Sequence, residues 1–382
     1  MLKKNIPFLL FQIFICFKLT AQNISLETKG SLPIAESSGI ETVNHNTFWT
    51  HNDSGGQPEL YEIDTLGNLL RTLSISNATN VDWEDITADD KGRIFIGDFG
   101  NNANTRTDLK IYLIDNPDSI ITTSTNAQKI NFTLSDQTTF PPSNANLNFD
   151  VEAMVWFDDS LYLFSKNRSI PFNGYTKYYQ LPAIAGTYVA ELVDSFYAGS
   201  GSAWDYQITA ADVNPDKKQL FLLSHSKAWI FSSFNSSDFF SGNMQQLNFS
   251  FDSQKEGISY ANDSVMYITD EYGSGNGGFL YKVIFSPNIT NINIGLFVNP
   301  ICVFPNPILT QFTVKGLGIF KSQNITLQLI NQIGEVVFNT NIKNNLLETT
   351  VMLPKNIANG IYVLRLFSVS EQFNKQISIS LN

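Results

Sequence analysis

The chain has 382 residues, 43% of them hydrophobic and only 15% charged, which leaves room for two domains with real cores and excludes a coiled coil. Its 30 Phe and 14 Tyr suit half-buried strands. The net charge of −11 is unevenly held: residues 23–302 carry 15 Lys+Arg against 32 Asp+Glu, and residues 303–382 carry 6 against 3. So acidic a body excludes nucleic-acid binding, which needs a basic footprint, and suits divalent cations or simple solubility.

Residues 1–22 read as a signal peptide. Lys3 and Lys4 form a basic head, Pro7 to Phe17 an apolar run broken only by Gln12, and Leu19 to Gln22 a cleavage region. The run is too short to span a bilayer, so no transmembrane anchor is expected. Cys16 lies in this leader. Cys302 is then alone, and the mature chain has no internal disulfide, as suits a bacterial exported protein.

From Glu36 onward one short pattern returns five times. It reads Glu36-Ser-Ser38-Gly-Ile40, Asp82-Trp-Glu84-Asp-Ile86, Asp150-Val-Glu152-Ala-Met154, Gln207-Ile-Thr209-Ala-Ala211 and Gln254-Lys-Glu256-Gly-Ile258. The starts are 46, 68, 57 and 47 residues apart, a period that points to propeller blades. Further strand signals follow each motif, such as Glu59 to Ile63, Arg93 to Gly97, Ser160 to Phe164, Gln219 to Leu223 and Val265 to Thr269. Turn residues such as Asn52 to Gly55 and Asn214 to Asp216 separate them. The fifth repeat is one strand short, and Ile24 to Thr28 can supply it, leaving no open sheet edge. We expect an all-β chain: a β-propeller over 23–300, with five blades read and a degenerate sixth possible in the long 82–150 interval. After Pro300, seven or so short strands within residues 301–382 predict an immunoglobulin-like β-sandwich.

Blades around one axis would bring Ser38, Glu84, Glu152, Thr209 and Glu256 into a ring, with Glu36, Asp82 and Asp150 as a second tier. Crowded carboxylates repel one another, and a bound cation removes the conflict. Calcium suits such a set, because it takes six to eight oxygens in loose geometry. The alternative is that these side chains bond backbone N–H groups and cap the blade ends. Asp98 and Asp270 lie twelve residues past the apolar close of their motifs, and Asp53 one residue further on in the first repeat. They either hold turn backbone or build a binding face. His51 and His225 fall at similar places in their blades and could serve as general bases at the tunnel mouth, or could be plain polar surface. No Gly-x-Ser-x-Gly elbow, zinc spacing or phosphate loop occurs.

Two resemblances follow from particular residues. Phe304-Pro305-Asn306-Pro307, the Gly334 turn, Asn359-Gly360-Ile361-Tyr362-Val363 before Arg365, and Lys375 before the final strand resemble the C-terminal sorting domain of the Bacteroidetes type IX secretion system. This implies the type IX machinery as partner and release or attachment at the outer-membrane surface. Less closely, Glu256 to Tyr260 leading to Met266 to Asp270, with the motifs at 82–86 and 150–154, resemble secreted phytase-like, esterase-like and gluconolactonase-type propellers. In those folds a Glu opening the inner strand looks into the tunnel and often holds calcium. Ser38 and Thr209 depart from that pattern. The expected function is a secreted, calcium-associated propeller binding an extracellular ligand. The alternatives are a metal-dependent hydrolase of the phytase, esterase or lactonase kind, and a structural or adhesive surface module.

Overall fold

A computed structural model describes residues 22–273, 277–284 and most of 302–379. The expected leader falls on residues 1–22, nearly all outside the described residues.

Strand β1 (Gln22–Ser31) precedes the array. Blade I contains β2 (Ser37–Glu41), β3 (Thr47–Asn52), β4 (Glu59–Asp64) and β5 (Leu69–Ile75). Blade II contains β6 (Trp83–Ala88), β7 (Ile94–Asp98) and β8 (Lys110–Ile114). The short β9 (Ser124–Thr125) leaves to pair with the outer edge of blade I, and β10 (Gln128–Leu134) returns to complete blade II. This excursion explains the long 82–150 interval, which holds one blade. Blade III contains β11 (Asp150–Phe157), β12 (Ser160–Lys166), β13 (Tyr175–Pro182) and β14 (Gly186–Tyr197). Blade IV contains β15 (Ala210–Val213), β16 (Gln219–Leu223), β17 (Lys227–Ser232) and β18 (Asn243–Phe249). Blade V contains β19 (Lys255–Asn262), β20 (Val265–Asp270) and β21 (Phe279–Ile284). Its outer strand is β1, antiparallel to β21 with Ser25 opposite Ile284.

The inner strands close a ring: β2 packs on β6, β6 on β11, β11 on β15, β15 on β19, and β19 on β2. The described residues therefore form a five-bladed β-propeller. Burial follows from this. The inner strands β2, β6 and β11 are buried almost throughout, since blades cover both faces, whereas outer β10 alternates buried and exposed side chains. Each seam between blades has its own apolar cluster. Trp49 and Leu60 meet Trp83 and Ile96 between blades I and II. Phe95 and Ile111 meet Met154 and Leu163 between II and III. Phe164 and Tyr178 meet Trp229 and Phe231 between III and IV, Phe221 and Leu223 meet Ile258 and Met266 between IV and V, and Ile40 and Phe48 meet Tyr267 and Leu280 between V and I. Each such side chain contributes about 1.5–3 kcal/mol of burial.

Where the inner strands finish, here called the exit end, polar side chains stitch blade to blade. Glu41 Oε2 accepts from the Ala88 N–H (3.1 Å) and Asp212 Oδ2 from the Tyr260 N–H (2.6 Å), while midway along the axis Asp85 Oδ2 accepts from the Met154 N–H (2.8 Å). Thr87 Oγ1 accepts from the Trp156 N–H at 3.1 Å. Ser259 Oγ donates back to Glu41 Oε1 at 3.2 Å, closing the circle between blades V and I. These bonds pair inner-edge N–H groups that no strand covers.

The second unit is a two-sheet sandwich. One sheet orders β22 (Cys302–Phe304), β23 (Gln311–Lys315) and β26 (Glu348–Met352). The other orders β25 (Val336–Lys343), β24 (Asn324–Ile330), β27 (Gly360–Phe367) and β28 (Gln372–Ile379). Phe312, Val314 and Val351 face Leu327, Leu329, Leu364 and Ile377 across its core. Gly334 turns between β24 and β25 at φ +86°, a conformation that favours glycine. Among the described residues no helix is long and apolar enough to cross a membrane.

Candidate functional site

The recurring motif has a backbone cause. In four blades its third residue sits in a β-bulge of the inner strand. Ser37 faces Asn52 but Ile40 faces Thr50, and Trp83 faces Asp98 but Ile86 faces Ile96. Val151 faces Ser165 but Ala153 faces Phe164, and Lys255 faces Asp270 but Gly257 faces Thr269. Ser38, Glu84, Glu152 and Glu256 are thus the surplus residues. A bulge re-aims its side chain, here toward the end of the axis where the inner strands begin, the entry end.

Contacts between blades join these residues there. Ser38 Oγ donates to Glu84 Oε2 at 3.4 Å. Lys166 Nζ lies 3.1 Å from Glu152 Oε2 and 3.6 Å from Glu256 Oε1. Arg168 reaches Asp150 at 2.7 Å and Glu152 at 3.0 Å. His225 Nε2 lies 3.2 Å from Glu256 Oε1. Burial works against the Lys166 charge, but Glu152 and Glu256 outweigh it and hold the ammonium above its usual range. Burial, then the Lys166 charge, pushes His225 down to about 2, so it is a neutral imidazole. Burial and Glu152 raise Asp150 to about 7 against the pull of Arg168. Thr209 turns aside and donates to the Lys255 carbonyl at 2.7 Å.

A second group has no ion-paired cation among the described residues. Carboxylate oxygens of Asp53, Asp82 and Glu84 all lie within 4.8 Å of one another. Burial raises Asp53 to about 6, with Asp82 and Glu36 adding repulsion. Burial and Asp150 raise Asp82 to about 6, and Glu84 rises well above its usual range through burial and Glu152. Gly100 completes a cradle: a Cβ there would come within 2.0 Å of Glu84 Oε1 and 2.6 Å of Asp82 Oδ2. Three oxygen donors with shared repulsion, closely backed by a glycine, fit a hard cation such as calcium.

The other expected residues lie behind or beside this cluster. Glu36 is exposed, and its carbonyl holds the Asp53 N–H at 2.8 Å. Asp98 is fully buried, accepting from the Asp82 N–H (3.2 Å) and pairing with Arg106 (3.0 Å) and Lys110 (3.6 Å). Asp270 accepts from the Phe279 N–H (2.9 Å) and Tyr281 hydroxyl (2.8 Å), away from the acids of the entry end. His51 is fully buried with its ring edge on Trp83, and burial lowers it to about 4.

Sequence reasoning missed Lys166, Arg168, Trp204 and Glu271. Lys166 lies twelve residues past Met154, the slot that Asp98 and Asp270 occupy in their repeats, so a basic residue there was the available signal. Trp204 contacts the His225 ring, centroids 3.8 Å apart. Glu271 is raised to about 8 by burial and by Asp53.

Residues 302–380 match the family model described as the secretion system C-terminal sorting domain, so the second unit is a type IX sorting domain and the protein is secreted or attached at the cell surface. No curated protein matches the sequence. Among solved structures the chain is similar to the PQQ-bound aldose sugar dehydrogenase of Streptomyces coelicolor, at 8% identity and a TM-score of 0.38, covering 67% of this chain and 96% of that one. It is also similar to a structural genomics protein of unknown function from Bacteroides thetaiotaomicron, at 10% identity and a TM-score of 0.38, covering 68% and 75%. The propeller assignment rests on blade topology rather than on these likenesses.

Proposed function

We propose that the propeller holds calcium through Asp53, Asp82 and Glu84 and presents the entry end of its axis to an extracellular ligand, after export by a leader at residues 1–22 and the type IX machinery. The observation that carries this reading is the mutual approach of those three carboxylates to within 4.8 Å with no cation side chain paired to them among the described residues. Calcium would supply the missing positive charge and open coordination positions for ligand oxygens. Lys166 and Arg168, fixed by Glu152 and Asp150, add positive charge suited to an acidic or hydroxyl-bearing group. Calorimetry of the purified chain with calcium, before and after EDTA, tests the reading. An Asp82→Asn variant that bound calcium as well as the parent would refute it.

A second reading, a metal-dependent hydrolase of the phytase, esterase or lactonase kind, is favoured by one observation. Glu271, at about 8, and Asp150, at about 7, titrate near neutrality beside the trio, where a proton donor or acceptor works best. A screen of phosphoester, lactone and ester substrates with Glu271→Gln as control decides it: turnover that the variant loses supports a hydrolase, and no turnover by the parent removes it.

A further inference from the structure

The rim of the entry end carries a large aromatic that packing leaves open to solvent. A single helical turn, Ala203–Tyr206, precedes the motif of blade IV. Both residues after Trp204 are tied to the blade. The Asp205 carbonyl accepts from Ser224 Oγ at 2.8 Å and the Asp205 carboxylate from Ser226 Oγ, while the Tyr206 ring lies 6.3 Å from that of Trp229. Trp204 itself is 42% exposed. Its indole meets the His225 imidazole at 65°, centroids 3.8 Å apart, so it is braced on one side and open on the other.

That indole belongs to the same mouth as the carboxylates. His225 Nε2 lies 3.2 Å from Glu256 Oε1, Glu256 lies 3.6 Å from Lys166 Nζ, and Lys166 lies 3.1 Å from Glu152. Three residues past Trp204, Gln207 Nε2 donates to the Asn167 carbonyl at 2.6 Å, joining blade IV to the loop that carries Arg168. On blade V, Tyr272 is 57% exposed directly after Glu271, its N–H held by the Ala35 carbonyl at 2.7 Å.

A lone exposed apolar side chain needs no explanation. Trp204 differs because it is braced beside a mouth that is otherwise charged and polar. A ligand that uses both must offer an apolar face and several oxygens. An inorganic anion could reach calcium and Arg168 but would gain nothing from Trp204. A cationic ligand would meet Lys166 and Arg168 and compete with calcium for Asp53, Asp82 and Glu84. A wholly apolar ligand would strip water from those charges without replacing it. A sugar ring has a face of C–H groups that packs on an indole, and an edge of vicinal hydroxyls whose oxygens suit calcium.

We infer that the entry end binds a neutral sugar residue, its ring stacked on Trp204 and its hydroxyls directed to calcium on the acidic trio. This rests on the calcium reading above and names the ligand class of that site, with Trp204 as the residue that sets specificity.

Calorimetry of the full chain loaded with calcium tests it, against the methyl glycosides of glucose, galactose, mannose and fucose, with inorganic phosphate as comparison. Expected is saturable binding of at least one glycoside, abolished by EDTA. It should weaken about tenfold or more in Trp204→Ala, as when an aromatic anchor is cut back, and return in part in Trp204→Phe, which keeps a ring. Calcium affinity should be the same in all three proteins. Trp204 is partly exposed and its neighbours hold the turn, so both variants should fold. Calcium uptake with no heat from any glycoside, glycoside binding that Trp204→Ala leaves unchanged, or displacement by phosphate at equal strength each overturns this inference and leaves the calcium reading standing. No calcium uptake by the parent overturns both.

Discussion

At the exit end of the inner-strand ring, Glu41 and Asp212 spend their oxygens on backbone N–H groups of neighbouring blades. At the entry end, about 10 Å of strand away by a rise of about 3.3 Å per residue, Glu152 and Glu256 share a lysine, while Asp53, Asp82 and Glu84 face each other without one. The same residue type thus serves two ends of the same strands in different ways. A carboxylate turned along the strand edge finds donors and becomes structural. One displaced by a bulge is carried past the last N–H and must be balanced by charge instead.

That contrast can be broken most forcefully at Lys166. Lys166→Met leaves Glu152 and Glu256 short of a buried partner and should cost about 3–5 kcal/mol, measured by urea denaturation in EDTA. It should also tighten calcium binding, because the entry end becomes more negative. A variant as stable as the parent would mean that the ring does not need its cation.

Calcium at one hundred times its dissociation constant should stabilise the parent by about 2.7 kcal/mol. Asp82→Asn should lose most of that gain, and a thermal melt with and without EDTA reads both.

Thr87→Val acts at the exit end. It strips the partner from the Trp156 N–H and should cost about 1–3 kcal/mol with no change in calcium affinity. A loss of calcium affinity there would merge the two ends into one site.

The smallest effect concerns pH. Asp212 rises from an ordinary 3.8 to about 7 in the fold. A folded value above the unfolded one means that this stabilisation is complete below about pH 4 and fades as pH climbs through about 7. Melting temperature in EDTA should therefore fall between pH 5 and pH 8, and fall less in Asp212→Asn. Identical pH profiles for the two proteins would remove Asp212 from that account.

Radial order was readable from spacing. The third motif residues Glu84, Glu152 and Glu256 do gather near one axis, and Ile24 to Thr28 does lie within the strand that completes blade V. The fold was legible because a repeated motif reports a repeated backbone, bulge included. The balance of charge was not, because Lys166 and Arg168 lie on or just past a different strand and break the pattern of their blade instead of repeating it. Nor does spacing tell an aspartate that accepts from the next blade from one that accepts only within its own turn. Asp85, unnoticed in the sequence, joins two blades, while Asp53 stands one residue out of step with Asp98 and Asp270 and alone of the three joins the acidic trio.

The strand β1 has a consequence in time. Ser25 waits for Ile284 and Ile24 for Phe249, so the ribosome must deliver nearly the whole array before the circle can be locked. Until then the nascent chain is an open arc with two unfinished borders, and its slowest folding event is a meeting of distant segments.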